Sequence, residues 1–397
     1  MIKPQAEAAS KVRIVLIGPA YPLRGGIAQY NTSLARAFAA AGDQVLVISY
    51  ARQYPRLFFP GTTQEDLGGE SFGIEAEHLV DSINPLNWPK VARRIAGFKP
   101  DLVVVQWWQP FFGPAVRGIV RNLKASHQVP VVLLCHNLLS HEKYSFPFRG
   151  ILERQLAKTG FSWVDGFLVH AEKLAGELKS LTPGRPIAKI LHPLYDFYNE
   201  WDKPVEDRGD SDQLEILFFG KIRRYKGLDV LIDALGMLGP EIQFHARLAG
   251  ECYLPLQDFR KKISELGLER KVTWMNRYIP NQEIPQLFRS ADVVVLPYLS
   301  ASQSGVIPVA YQFEVPVIVS DVGGLSEVVR EGKTGFLVPP GNPGKLAEAI
   351  TRFYNLESRS GLRQEIRDFR KRFTWESVVN EIRRLYLRIV ESAKQGE

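Results

Sequence analysis

The sequence predicts an α/β protein made of two doubly wound, Rossmann-like parallel-sheet domains facing a central cleft. Three observations carry that expectation. The strand-like runs, among them "RIVLIG", "DLVVVQ", "VPVVLLCHN" and "DVVVLP", are continuous in apolar residues rather than alternating. Strands covered on both faces read this way. These runs also alternate with stretches of helical character along the whole chain, the rhythm of doubly wound folds. Finally, 397 residues exceed one ordinary core, and the polar, acidic stretch "YDFYNEWDKPVEDRGDSDQ" interrupts the rhythm midway.

Taken in order, "RIVLIG" leads to a helix from about Gly26 to Ala41 and then to "QVLVIS". "DLVVVQ", a helix near Val116 to Lys124, "VPVVLLCHN", a helix near Phe148 to Lys158 and "GFLVHA" complete the first half. The second half runs "EILFFG", a helix from Gly227 to Leu238, "FHARLAG", a helix from Leu256 to Leu266 and "KVTWM". A helix near Ile284 to Ser290, "DVVVLP", "VPVIVS" and "GFLVP" follow. The expected boundaries are a first domain over 1–195, a linker over 196–213, a second domain over 214–374 and a C-terminal helix over 375–397. That last stretch, "TWESVVNEIRRLYLRIVESA", has apolar residues at helical spacing and is expected to pack across the domains.

Composition narrows the function. Hydrophobic content of 45% and charged content of 23% are those of a soluble globular protein. No run approaches the ~20 apolar residues of a membrane span, and Ile14 to Ile17 is too short for a signal-peptide core. Two cysteines, Cys135 and Cys252, fall one in each half, which argues for a reducing cytoplasm rather than a disulfide framework. Residues 1–195 hold 22 Lys/Arg against 14 Asp/Glu, the remainder 28 against 29, so the whole net charge of +7 originates in the first half. Besides a solvated basic surface, this suits an anionic partner: a phosphorylated or lipid-linked acceptor, or peripheral contact with the inner face of an acidic membrane. No basic-aromatic motif or recognition-helix pattern accompanies the charge, which argues against nucleic acid.

In such folds ligands bind beyond the C-terminal ends of the strands, and the candidate motifs sit there. "GPAYPLRGGIAQY" follows the first strand, with Gly25 and Gly26 opening a helix whose free N–H groups point into the crevice. It is not a GxGxxG fingerprint, which disfavours a nicotinamide. "FGKIRRYKGLDVLIDAL" places Lys221, Arg223, Arg224 and Lys226 within six residues; such crowding is costly without an anion, and a diphosphate is the natural counter-charge. His136 ends a strand in "VVLLCHNLLSHEKY" and is expected to face the cleft, with His141 and Glu142 just beyond. Gln303, Ser304 and Gly305 form a small uncharged loop that a phosphate could approach, and Glu327 follows Gly323-Gly324 on what reads as a helix start. "QWWQPFFGP" reads either as core or as the lining of an acceptor groove or bilayer contact. No His/Cys/Asp/Glu cluster has metal-ligand spacing, so no metal site is expected.

Together "FFGKIRRYKGLDVLIDAL", "LFRSADVVVLPYLSASQSGVIPVAYQFEVPVIVSDVGGLSEVV" and "GKTGFLVPPGNPGKLAEAI" resemble the family-4 glycosyltransferases of GT-B fold, over nearly the whole chain. The resemblance implies transfer of a sugar from a UDP- or GDP-sugar donor to a glycan or lipid-linked acceptor. It further implies retention of anomeric configuration, no metal and no cofactor beyond the nucleotide-sugar substrate. It assigns the acceptor side to the first domain and the donor to the second. Lys221 and Lys226 would hold the diphosphate, Gly25 and Gly26 would approach it, His136 would flank the transferred sugar, and the loop from Arg277 to Ile279 would lie near the base. The family's two glutamates, with seven residues between them, would fall on Ala301 and Val309 or, one residue later, on Ser302 and Ala310; none is a carboxylate. Neutral donors of Gln303, Ser304 and Gly305 would replace them. A non-catalytic nucleotide-sugar-binding protein, or an epimerase or phosphorylase on the same fold, are the alternatives.

Overall fold

The computed structural model describes residues 11–55, 65, 73–139, 149–203 and 213–395; His141 and Glu142 lie outside these residues. The first domain runs β1 (Arg13–Ile17), α1 (Gly26–Ala40), β2 (Gln44–Arg52), β3 (Ala76–Asp81), α2 (Trp88–Phe98) and β4 (Leu102–Trp107). It continues with α3 (Gly113–Ser126), β5 (Val131–Cys135), α4 (Arg149–Phe161), β6 (Gly166–Val169), α5 (Glu172–Leu181) and β7 (Ile187–Lys189). The second contains β8 (Leu214–Phe219), α6 (Leu228–Gly236), β9 (Phe244–Ala249), α7 (Leu256–Glu265), β10 (Val272–Met275), α8 (Ile284–Arg289) and β11 (Val293–Leu296). After these come α9 (Val306–Gln312), β12 (Val317–Ser320), β13 (Gly335–Val338), α10 (Pro343–Tyr354), α11 (Arg359–Phe369) and α12 (Trp375–Gln395).

Among the described residues the strands form two sheets, ordered β3-β2-β1-β4-β5-β6-β7 and β10-β9-β8-β11-β12-β13. All named pairings are parallel, including β1 with both β2 and β4 and β8 with both β9 and β11. Each sheet therefore reverses its strand order beside its first strand, and the crevice at such a reversal is where doubly wound folds bind ligands. The continuous apolar runs are explained by burial on both faces: Val103, Val104, Val105, Val131, Val132 and Leu133 are all sealed from solvent.

One face of the first sheet packs against α2 to α5, with Trp107, Trp108 and Phe112 inside that core. The "QWWQPFFGP" aromatics are thus packing residues, and Phe111 is the only one of the four that is half-buried. They are not a bilayer-facing patch. The other face packs against α1 and, from far along the chain, α12, whose Val378, Val379, Ile382 and Leu385 join Ile14, Leu16, Val104 and Leu134. Each such side chain contributes about 1.5–3 kcal/mol, so α12 is an integral layer of the first domain. Arg383 fixes its register by pairing with the buried Asp43 at 2.8 Å.

The expected weakly patterned linker starts as structure. Tyr195, Phe197 and Tyr198 lie in or beside a short 3₁₀ turn (Asp196–Trp201) and pack into the second domain against Phe288 and Phe313. The two chain crossings run side by side, since Leu194 N–H donates to Phe373 O (3.0 Å) and the Trp375 indole to Leu194 O (2.8 Å).

Candidate active site

The C-terminal end of β8 and the N-terminus of α1 meet across the cleft. Gly25 has φ of 120°, a conformation that favours glycine, and a Cβ there would lie 3.9 Å from the Lys221 ammonium. Arg24, just before it, crosses to the second domain: its guanidinium pairs with Glu251 at 3.0 Å and lies over the Tyr278 ring. Arg223 sits over the Tyr253 ring, 4.5 Å from its centroid. Arg224 is exposed.

Lys221 is exposed as a residue, while its ammonium lies in the cleft beside Gly25. Burial, and then repulsion from Arg24 and Arg223, push its ammonium down to about 8, Glu251 opposing. A surplus of cations this close together marks an anion site. Lys226 is lowered as well, chiefly by burial. Its ammonium donates to the Tyr298 hydroxyl and lies 4.1 Å from the Tyr298 ring centroid.

That hydroxyl continues the network. Tyr298 Oη is 3.3 Å from Ser304 Oγ, which accepts from the Val306 N–H at 3.2 Å. With Tyr298 accepting from Lys226 and donating to Ser304, the serine hydroxyl proton remains for a ligand. The Lys226 turn and the 302–305 loop, joined only by inference in the sequence, are thus one hydrogen-bonded unit. Gln303 Oε1 is buried without a partner. A Cβ on Gly305 would lie 3.6 Å from both His192 Nε2 and the Tyr195 hydroxyl.

His136 follows β5, its N–H donating to Trp107 O at 2.8 Å. Its ring is buried, 2.8 Å from Gln106 Oε1, and edge-on to Tyr30. Burial first, and His192 second, hold it down to about 3, so it is neutral at physiological pH. The sequence did not single out its neighbours His170, directly after β6, and His192, three residues past β7, which pack with it around Tyr30. A histidine recurring after three consecutive strands was the available signal. Arg24, Glu251 and Tyr298 were also missed; Arg24 stood in the open beside the glycine pair.

Arg277 adjoins Tyr278, the residue whose ring lies beneath Arg24. It is exposed and forms an ion pair with Glu283, Nη1 to Oε1 at 3.0 Å. Glu327 differs from expectation: it sits in a 3₁₀ turn (Ser326–Val328), not on a helix of its own. Its carboxylate instead reaches into the first domain, accepting the Glu172 N–H that opens α5 at 2.8 and 3.0 Å. Beside it Gly324 approaches Ala171 so closely that a Cβ would come within 2.3 Å of the alanine methyl. Between the domains remains a 180 Å³ cavity lined by Leu138, Lys173, Glu177, Ala301, Ser302 and Gly323 among others. Ala301, one position where a carboxylate was sought, thus faces the cavity, and Val309 is buried. Among the described residues no group of three or more His, Cys, Asp or Glu is placed to hold a metal ion.

Two parallel-sheet domains closing a cationic crevice at their switch points define a GT-B glycosyltransferase architecture. Residues 24–191 match the family model Glycosyltransferase Family 4, and residues 213–355 match Glycosyl transferases group 1. The chain belongs to these glycosyltransferases. It is 34% identical over 173 residues to the D-inositol 3-phosphate glycosyltransferase of Paenarthrobacter aurescens, covering 42% of this chain and 41% of that one. The chain spans half or less of the first curated relatives that it matches. In fold it is similar to sucrose-phosphate synthase from Thermosynechococcus elongatus, with a TM-score of 0.71, 20% identity, and coverage of 96% of this chain and 100% of that one. It is likewise similar to Anabaena Alr3699/HepE in complex with UDP-glucose, with a TM-score of 0.67, 19% identity, and coverage of 96% and 99%.

Proposed function

We propose that this glycosyltransferase moves a sugar from a UDP- or GDP-sugar to a hydroxyl of a glycan or lipid-linked acceptor, with retention and without a bound metal. The observation that carries the reading is the convergence of Arg24, Lys221, Arg223 and Lys226 where the β8 turn meets the glycine turn of α1. These side-chain cations supply the neutralisation that a divalent ion would otherwise give a departing diphosphate. The likeness to a fold that holds UDP-glucose in Anabaena Alr3699/HepE supports the choice of donor.

In this mechanism the C1–oxygen bond to the diphosphate breaks and the acceptor oxygen bonds C1 on the same face. The acceptor's proton passes to the leaving phosphate oxygen, which serves as the base. The chain's own residues position both partners and stabilise the developing charge. That division of labour accommodates a sugar site whose family carboxylate positions hold Ala301 and Val309 or, one residue later, Ser302 and Ala310. The 180 Å³ cavity beside Ser302, with Lys173 and Glu177 on its α5 side, is where the acceptor hydroxyl would enter.

The decisive experiment offers UDP- and GDP-sugars with EDTA present and measures nucleotide release with a hydroxyl acceptor panel. Release that survives chelation supports the reading, and dependence on added divalent ion overturns its metal-free part. Tight nucleotide-sugar binding with neither transfer nor hydrolysis would favour the non-catalytic alternative, which the neutral Ala301 and Val309 positions motivate.

We further propose a cytoplasmic enzyme that touches an anionic membrane through its basic first domain. On α4, Ile151 and Leu152 are 61% and 59% exposed beside the exposed Arg154 and Lys158, a combination suited to a lipid interface. Among the described residues no helix is long and apolar enough to cross a membrane. Co-sedimentation with phosphatidylglycerol vesicles at low salt, lost in an Ile151→Ser/Leu152→Ser variant, is the expected outcome; no low-salt binding would dismiss the idea.

A further inference from the structure

Asn31 on α1, Gln106 on β4 and His136 after β5 come from three separate elements, yet they form one hydrogen-bonded file beneath the cleft. All three are buried, at 0%, 1% and 3% exposure. Asn31 Nδ2 donates to Pro19 O at 3.2 Å, and Gln106 Nε2 donates to Asn31 Oδ1 at 3.1 Å. His136 Nε2 lies 2.8 Å from Gln106 Oε1. Gly18 leaves room for the file, since a Cβ there would fall 2.5 Å from Gln106 Cγ and 3.1 Å from Asn31 Nδ2.

The direction of the file is set at its far end. A backbone carbonyl oxygen only accepts, so Asn31 must turn its NH₂ toward Pro19 and its oxygen toward Gln106. Gln106 must then give its NH₂ to Asn31, which leaves Oε1 for the histidine. An amide oxygen also only accepts, so the ring proton of His136 resides on Nε2. Packed against the ring are Tyr30 from α1 and His170 after β6, and His192 after β7 packs in turn on both of these. Burial raises the Tyr30 hydroxyl far above its ordinary range and holds both other histidines down, so none of these groups brings a negative charge that would double-protonate His136. Nδ1 is therefore left with its lone pair.

We propose that Asn31 and Gln106 are positioning residues that lock His136 as the neutral Nε2–H tautomer, so that its ring meets substrate only as an acceptor, through Nδ1. Such a ring selects a hydroxyl on the sugar and offers nothing to a carboxylate at the same point; an acidic sugar there would find an unpaired lone pair facing its own. The identity of the ligand rests on the glycosyltransferase reading, whereas the tautomer does not.

The test begins with the full-length protein carrying ¹⁵N-labelled histidine, with the His136 signals assigned by their loss in His136→Gln. The expected spectrum has a protonated Nε2 and an unprotonated Nδ1 that do not titrate between about pH 5 and 8. Gln106→Glu, nearly the same shape, gives the ring an anionic partner and raises its affinity for a second proton. Its transfer rate should then fall about tenfold at the acid end and recover as pH rises, with UDP affinity unchanged. A wild-type Nδ1–H tautomer would overturn the proposal. So would a Gln106→Glu protein whose histidine spectrum and pH profile superimpose on the wild type, an outcome a merely structural glutamine would give. The resonance measurement needs no turnover, so if no donor is consumed the functional reading fails while the tautomer is still decided.

Discussion

On the β8 flank of the cleft, Lys221, Arg223 and Lys226 come from a single turn, and Arg24 reaches them from the other domain. On the β5 flank, His136, Gln106, His170 and His192 are neutral, buried and tied to one another by hydrogen bonds and ring contacts. The first flank stores electrostatic free energy that an anion would release. The second stores geometry: each group has its orientation chosen before a ligand arrives. A transfer reaction needs both, charge for the leaving group and fixed acceptors and donors for the sugar. In the proposed mechanism the cations of the first flank carry the charge, so the loop of Gln303, Ser304 and Gly305 would need to offer only neutral hydrogen bonds.

Removing charge should therefore cost far more than removing a neutral contact. The largest effect is expected for Lys226→Met, which keeps bulk against Tyr298 but deletes the ammonium; kcat/KM should fall by about 10²–10³-fold, read by nucleotide release with the melting profile unchanged. An effect below tenfold would erase the distinction between the flanks.

Lys221 offers a test by pH. Its ammonium is lowered to about 8, so donor affinity should weaken as pH rises through that value, measured by calorimetry with UDP. The stability of the unliganded protein should move the other way. The unfolded chain, with an ordinary lysine, holds its proton up to about 10.4. Between about 8 and that value the unfolded state binds more protons than the folded one, so unfolding free energy gains as pH rises. Lys221→Met should flatten both trends.

On the neutral side, Ser304→Ala breaks the link from Tyr298 to the 302–305 loop and should reduce kcat/KM only about tenfold, in line with one hydrogen bond of about 1 kcal/mol. The smallest change is expected outside the chemistry. Glu327→Gln weakens the cap on α5 and its contact with Lys189, and should lower stability by about 1 kcal/mol in denaturant titration while sparing the donor KM.

The two parallel sheets and most of their strands were legible because burial on both faces imposes continuous apolar runs such as Val103 to Val105 and Val293 to Leu296, whereas the edge strands β3 and β7 and the order within each sheet were not. The cationic turn was legible because its residues are neighbours in sequence. The neutral flank was not. Gln106 and Asn31 are 75 positions apart and meet only because β1 lies between β2 and β4 in the sheet. No local pattern marks such a pair. Trp107 and Trp108 show another difficulty: the residues alone suited a core or an exposed lining equally, and the core reading holds because the sheet's helices close over them. Glu327 was visible, but its partner is the first N–H of a helix in the opposite domain, which only tertiary structure supplies.

The α12 helix leaves a mark on the order in which the molecule can be made. Its Val378, Val379, Ile382 and Leu385 finish a hydrophobic layer begun by Ile14 and Leu16. During synthesis, the opening domain must wait on the ribosome with that side of its sheet covered by α1 alone until the whole second domain has been translated. Proteolysis of stalled nascent chains should find that unfinished side vulnerable up to the moment Trp375 to Ile389 emerge.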